Sequence, residues 1–267
     1  MPKRRSKPIE PYLAGLQDPD YKVRREAVKG LRQTRNPDAY PYLVAALKDT
    51  TIAVIYHAIR GLEELGDPRS IPELLKMLGR KSSCDVCDEV GAALVAFGEV
   101  AVPALIETLK SPSARARAVV ATCLQRIGDR RAIEPLIALL NDPEPWPLSA
   151  ALSALWDFRD ERSREPLAAF VARPDEVIPS DSTFSGYDRK RSAAFALAEL
   201  GDPRAIDVLA RSFDQVQRAC IYTIQQLGKI DDPRVRPLIQ RYIDEDPESL
   251  CASQARATLE HLAARGL

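Results

Sequence analysis

Large apolar residues stand at Leu16, Leu47, Leu78, Leu109, Leu140 and Val171, each 31 residues after the one before. This spacing constrains the fold more than any other property of the chain. A fixed period of roughly 20–50 residues marks a stack of like units, each too small to bury its own apolar face. The rhythm resumes at Phe213 and Tyr242 after steps of 42 and 29, so a single insertion of 11 residues interrupts it. Eight units result.

Inside each unit a short helix precedes a longer one. The phrase Leu200-Gly201-Asp202-Pro203-Arg204 shows how one unit passes to the next. Glycine takes the left-handed conformation that closes a helix, and proline prevents the helix from continuing. The corner recurs at Leu65-Gly66-Asp67-Pro68-Arg69 and Ile127-Gly128-Asp129-Arg130-Arg131, and more loosely at Asn36, Asp160 and Asp232. Proline also falls in the first turn of most short helices, at Pro11, Pro41, Pro72, Pro103, Pro135, Pro166 and Pro237, where a missing N–H costs nothing. On the longer helices an apolar stripe recurs: Val23, Ala27, Gly30, Leu31 and Thr34, then Val54, Ala58, Gly61, Leu62 and Leu65. The residue before each inward leucine is small (Gly30, Gly61, Ala93, Cys123, Ala154, Ala196), which lets helices approach closely. The expected fold is all-α, an α-solenoid superhelix of about eight helical hairpins. Residues 9–267 are read as one repeat array with an insertion at 173–187, and residues 1–8 as a basic disordered tail.

The Leu-Gly-Asp-Pro-Arg corner, the Ile-x-Pro-Leu opening of the short helix and the Asp-Pro-x-x-x-Val-Arg opening of the long one are similar to the HEAT-like repeats first recognised in phycobilisome lyases. The resemblance spans residues 9–264. It implies the solenoid, with the long helices lining a concave side. It also implies a ladder between an aspartate before each long helix and an arginine upon it. Asp18 with Arg24 matches, and Arg117 is a further match. Ile55, Cys87, Leu148, Lys190 and Gln217 stand at the arginine position elsewhere, so another contact must hold the register there. The same resemblance implies one possible task, lyase or chaperone action that places a bilin, a tetrapyrrole, on a phycobiliprotein.

Composition limits the remaining functions. Lys plus Arg and Asp plus Glu both number 38, giving no net charge, which argues against a surface built wholly for nucleic acid. No apolar run approaches the roughly 18 residues that span a bilayer. Five cysteines at irregular spacing describe free thiols in a reducing compartment, so a cytoplasmic location is expected. Cys84 and Cys87 form the one metal-like pair, but a structural zinc needs four ligands and no second pair exists. The two histidines, His57 and His261, are too few for the multi-histidine di-iron centre of HEAT-repeat hydroxylases. No phosphate loop or nucleophile elbow occurs. The expectation is a protein with no catalytic centre, no cofactor and no metal.

The informative surface is the outward stripe of the long helices. It begins basic, with Arg25, Lys29 and Arg60 around Tyr56. It ends aromatic, with Trp146, Trp156, Phe195 and Tyr222. Aromatic residues and arginine are enriched at interface hot spots. These eight residues are the candidate partner-binding set. They suit a non-enzymatic scaffold or adaptor that holds a protein or peptide in a concave groove, with the aromatics as anchors and the cations as guides. Nucleic-acid binding through the basic first repeats is the alternative from charge alone, and acidic Glu63, Asp85, Asp88 and Glu89 weigh against it. The insertion carries Val177, Ile178, Phe184 and Tyr187, so it is either a partner surface or a tolerated excursion.

Overall fold

In the computed structural model, residues 7–79, 84–181, 185–211, 220–245, 247–248 and 250–266 are described. Most of the basic tail, and the repeat anchor at Phe213, lie outside them. The described residues form sixteen α-helices and no strand. They are α1 (Glu10–Leu13), α2 (Tyr21–Thr34), α3 (Tyr40–Ala46), α4 (Ile52–Leu65), α5 (Ser70–Leu78), α6 (Cys84–Ala96), α7 (Val102–Thr108) and α8 (Ala114–Ile127) in a first compact unit. A second holds α9 (Ile133–Ala138), α10 (Pro145–Phe158), α11 (Arg164–Val171), α12 (Gly186–Glu199), α13 (Ile206–Arg211), α14 (Cys220–Leu227), α15 (Val235–Glu245) and α16 (Leu250–Ala264). The first unit covers residues 1–129 and the second 130–267. Odd-numbered helices are the short members of the hairpins and even-numbered ones the long members.

Within each unit the long helices pack side by side, α2 on α4, α4 on α6 and α6 on α8, then α10 on α12, α12 on α14 and α14 on α16. The inward leucines Leu31, Leu62, Leu94, Leu124, Leu155 and Leu197, with Ile224, are all buried, so the stripe has the expected register. Val28 and Ile59 join them, which widens the apolar face to the i, i+3, i+4 pattern of a helix packed on two sides. Val23 departs from the expectation and is exposed. Gly30 is required by proximity: a Cβ there would lie 2.2 Å from the ring of Tyr12.

Gly66, Gly128 and Gly201 take φ of 65°, 76° and 69°, closing α4 and α8 and following α12 as the corner motif requires. Arg35 and Arg159 occupy the same left-handed conformation without being glycine. After the corner, an aspartate or asparagine caps a short 3-10 turn. Asn36, Asp160 and Asp202 accept from Asp38 N at 3.0 Å, Arg162 N at 3.0 Å and Arg204 N at 3.0 Å.

These corners answer what holds the register where the expected ladder is missing. Asp160 accepts from the guanidinium of its own corner, Arg162 Nε at 2.9 Å, and from that of the preceding corner, Arg130 Nε at 3.1 Å. Asp202 repeats the arrangement, with Arg204 Nε at 2.9 Å and Arg164 Nη1 at 3.5 Å. In the first unit Arg69 lies 4.4 Å over the Tyr40 ring, and the Tyr40 hydroxyl donates to the Arg69 carbonyl at 3.0 Å. Arg24 does form its rung, but chiefly forward: it donates to Asp49 at 2.7 Å and 3.1 Å, and meets the Asp18 carbonyl rather than its carboxylate at 2.9 Å.

The part of the insertion from 173 to 181 is a strap laid on the helix that follows it. Ser185 and Asp188 form a capping box that starts α12. The next two residues reach back to the strap. Arg189, 2% exposed, donates to Asp181 at 2.6 Å and to Ser149 of α10 at 3.2 Å. Lys190 pairs with Asp175 at 2.7 Å. Ile178 is buried beneath, and a Cβ on Gly186 would meet the Asp175 carbonyl at 2.2 Å. Phe184 lies outside the described residues, as does the side chain of Tyr187.

Candidate functional site

The eight candidate residues divide between the units, with Arg25, Lys29, Tyr56 and Arg60 in the first and Trp146, Trp156, Phe195 and Tyr222 in the second.

In the first unit the cations are engaged. Glu26 takes both Arg25, at 2.8 Å, and Lys29, at 3.1 Å, and its carboxyl is held below its ordinary value by those two hydrogen bonds. Arg60 pairs with Glu63 at 2.8 Å, and neighbouring Arg32 with Glu64 at 2.6 Å. Glu26 is adjacent to Arg25 and three residues from Lys29, Glu63 is three from Arg60 at the spacing by which a helix brings side chains together, and Glu64 lies one repeat on from Arg32. The basic stretch is thus interleaved with carboxylates. Tyr56 is exposed, with its ring edge-on to His57 at 5.4 Å. Burial, then the positive charge of Arg32 and Lys29, pushes the His57 imidazole below its ordinary value. Tyr56 also borders a cavity of about 260 Å³ with Ile52, Asp88 and Glu89.

In the second unit three aromatics converge. Trp156 of α10, Phe195 of α12 and Tyr222 of α14 line one open cleft of about 330 Å³, and Arg191 of α12 completes it. Three successive long helices each contribute one ring, so the cleft is a product of the repeat. The Trp156 and Phe195 centroids lie 5.6 Å apart, tilted by 36°. Tyr222 is 62% exposed, whereas Trp156 and Phe195 are half-buried. Trp146, at the other end of α10, is exposed and does not line the cleft.

Beneath the rings lies Glu199, a residue the outward stripe did not single out. Trp156 Nε1 donates to its Oε1 at 3.3 Å, and Gln226 Nε2 at 3.2 Å. Lys229 donates to the same oxygen, and Arg159 Nε meets Oε2 at 3.3 Å. Burial pulls this carboxyl upward, but Lys229, Trp156 and Gln226 outweigh it and hold it below its ordinary value. Arg191 is likewise outside the eight-residue candidate set. Arg191, Phe195 and Glu199 are spaced four apart on α12, so one helical stripe already linked them in the sequence.

Cysteines are buried where described. Cys123 is 2% exposed, its thiol pushed up to about 12 by burial, and Cys87 and Cys251 are likewise buried. The side chains of Cys84 and Cys220 lie outside the described residues. No described helix is long and apolar enough to cross a membrane.

Hairpins of this length, stacked and joined by corners such as those capped by Asn36, Asp160 and Asp202, define an α-solenoid repeat protein. The chain belongs to the HEAT repeat family: the HEAT repeats model matches residues 9–94 and 102–183, and the PBS lyase HEAT-like repeat model matches residues 190–215. Among solved structures it is similar to the Escherichia coli protein YibA, with 15% identity over 94% of this chain and 92% of that one and a TM-score of 0.61. It is also similar to the CpcE–CpcF complex of phycocyanin lyase from Nostoc sp., with 20% identity, 98% of both chains and a TM-score of 0.40. Human deoxyhypusine hydroxylase aligns at 19% identity over 96% of both chains, with a TM-score of 0.38. The first of these is a likeness of fold alone, and no argument about activity rests on the other two. No curated protein matches the chain.

Proposed function

We propose that this protein is a non-enzymatic interaction module whose second unit seats a protein or peptide partner on the aromatic cleft. One observation carries the reading: Trp156, Phe195 and Tyr222, from three consecutive long helices, open to solvent together in one cleft. A core would bury such rings fully. Here Tyr222 stands largely in water, while Trp156 is fixed from below by Glu199. Anchoring the aromatic rings before the partner arrives lowers the ordering cost of binding. Aromatic side chains with an adjacent arginine are the residue types that carry most binding energy at interfaces. The irregular spacing of the five cysteines supports a reducing, cytoplasmic setting for this work. The paired cations of the first unit favour protein over nucleic acid, since a phosphate backbone would have to displace carboxylates already in place.

Site-specific photocrosslinking in the native cell extract tests this. A benzophenone amino acid at position 222 should capture a defined protein that the same group at exposed position 107 does not. Trp156→Ala should abolish that capture. The same adducts from both positions would remove the cleft from consideration.

A further inference from the structure

The cleft has a charge as well as a shape, and the charge selects its occupant. Glu199 is a single buried carboxylate, 5% exposed, that holds two cations, Arg159 and Lys229. Its Oε1 already accepts from Trp156, Gln226 and Lys229 and its Oε2 meets Arg159, so it offers nothing further to a ligand. Both cations reach the surface, at 63% and 41% exposure. Arg191, on the cleft wall, meets Asp188 through one nitrogen at 3.2 Å. A guanidinium has five N–H donors in a planar fork, so four remain for an incoming acceptor. Arg191 is thus the charged residue on the cleft lining, and behind it Arg159 and Lys229 share the single carboxylate of Glu199, so the three cations outnumber the two carboxylates they pair with, Glu199 and Asp188.

Resting on the docking reading above, we infer that the occupant is an acidic peptide segment, one in which a phenylalanine or similar large apolar side chain is flanked by glutamate or aspartate. The apolar side chain would enter between Trp156, Phe195 and Tyr222. A flanking carboxylate would take the free edge of the Arg191 fork, the geometry in which arginine recognises carboxylates best. A basic segment would meet Arg191 with like charge, with Arg159 and Lys229 adding to the field from behind the rings, so the same site rejects it.

The test uses the full chain labelled with 5-fluorotryptophan. The sequence has two tryptophans, Trp146 and Trp156, so two ¹⁹F resonances result, assigned with Trp146→Phe. Three tripeptides are titrated: acetyl-Glu-Phe-Glu-amide, acetyl-Gln-Phe-Gln-amide and acetyl-Lys-Phe-Lys-amide. The acidic peptide should shift the Trp156 resonance with an affinity about tenfold above the neutral one, as a charge-assisted hydrogen bond implies. The basic peptide should bind most weakly, and the Trp146 resonance should stay in place. Arg191→Gln should bring acidic and neutral peptides to within about twofold, while Arg191→Lys keeps part of the preference. Circular dichroism establishes that both variants are folded. Equal binding of all three peptides at Trp156 would overturn the acidic preference and leave the docking reading standing. No shift at Trp156 with any peptide would overturn the docking reading itself. An acidic preference undiminished by Arg191→Gln would overturn the assignment of Arg191.

Discussion

Replacing Arg189 with methionine should destabilise the second unit by about 3–5 kcal/mol, the cost of stripping one partner from a buried ion pair. The structure puts it at the upper part of that range. Arg189 is 2% exposed and donates to Asp181 at 2.6 Å and to Ser149 at 3.2 Å, so the substitution leaves a carboxylate and a hydroxyl facing an apolar side chain. Removing the other end is milder. Asp181 keeps 20% of its side chain in water, so Asp181→Asn should cost about 1–3 kcal/mol. Once the carboxylate is neutral, the penalty for losing the arginine shrinks. The double variant should therefore lose about 1–3 kcal/mol less than the sum of the two single ones, as directly bonded groups do. The assay is a urea titration followed by tryptophan fluorescence, because both tryptophans lie in the second unit and report its unfolding. Cleavage of the strap by a protease should accelerate in step. Additivity within about 0.5 kcal/mol would refute the pairing of Arg189 with Asp181, and with it the account of residues 173–181 as a strap fastened to α12.

Three further outcomes are expected. Arg35→Gly should raise stability by about 1 kcal/mol in denaturant titration, because φ of 51° strains any residue with a Cβ and Arg35 gives up only a 3.9 Å contact with Glu64; a loss would show that this contact outweighs the strain. Tyr222→Ala should leave the urea midpoint within about 0.5 kcal/mol of the parent, whereas Trp156→Ala, which vacates a half-buried ring and a hydrogen bond to Glu199, should cost about 2–4 kcal/mol; equal effects would mean the two rings share one environment. The second unit should lose stability on acidification. Hydrogen bonds from Arg162 to Asp160 and from Arg204 to Asp202 hold both carboxyls well below their ordinary value, so their contribution is complete above the unfolded value near pH ~4 and disappears as pH falls through the lower folded values; Asp202→Asn should flatten this slope, and a urea midpoint unchanged between pH 6 and pH 3 would contradict it.

The sequence alone determined the hairpins, their number and which face of each long helix turns inward. The reason is that these are short-range or periodic properties. A left-handed glycine before Asp-Pro closes a helix wherever it occurs, and a leucine every 31 residues on a helical stripe has nowhere to go but into a neighbour. Even the capping of the corners by Asp160 and Asp202 could be read from the motif. What the tertiary structure decided was pairing across repeats and the fate of each charge. The register is held by corner arginines reaching the next aspartate, not by the long-helix ladder alone, and no local pattern says which of two repeats an arginine will face. Guiding cations became paired ones because Glu26, Glu63 and Glu64 lie within a turn or a repeat of them. The insertion, undecided from composition, closed on Arg189 and Lys190, whose position on α12 marked them as helix residues and nothing more. The aromatic cleft stood between these cases. Its three rings were visible as a stripe, but their convergence, and the buried Glu199 that fixes Trp156, depend on how far one helix lies from the next. That distance is set by side-chain packing between helices, which a linear pattern does not contain.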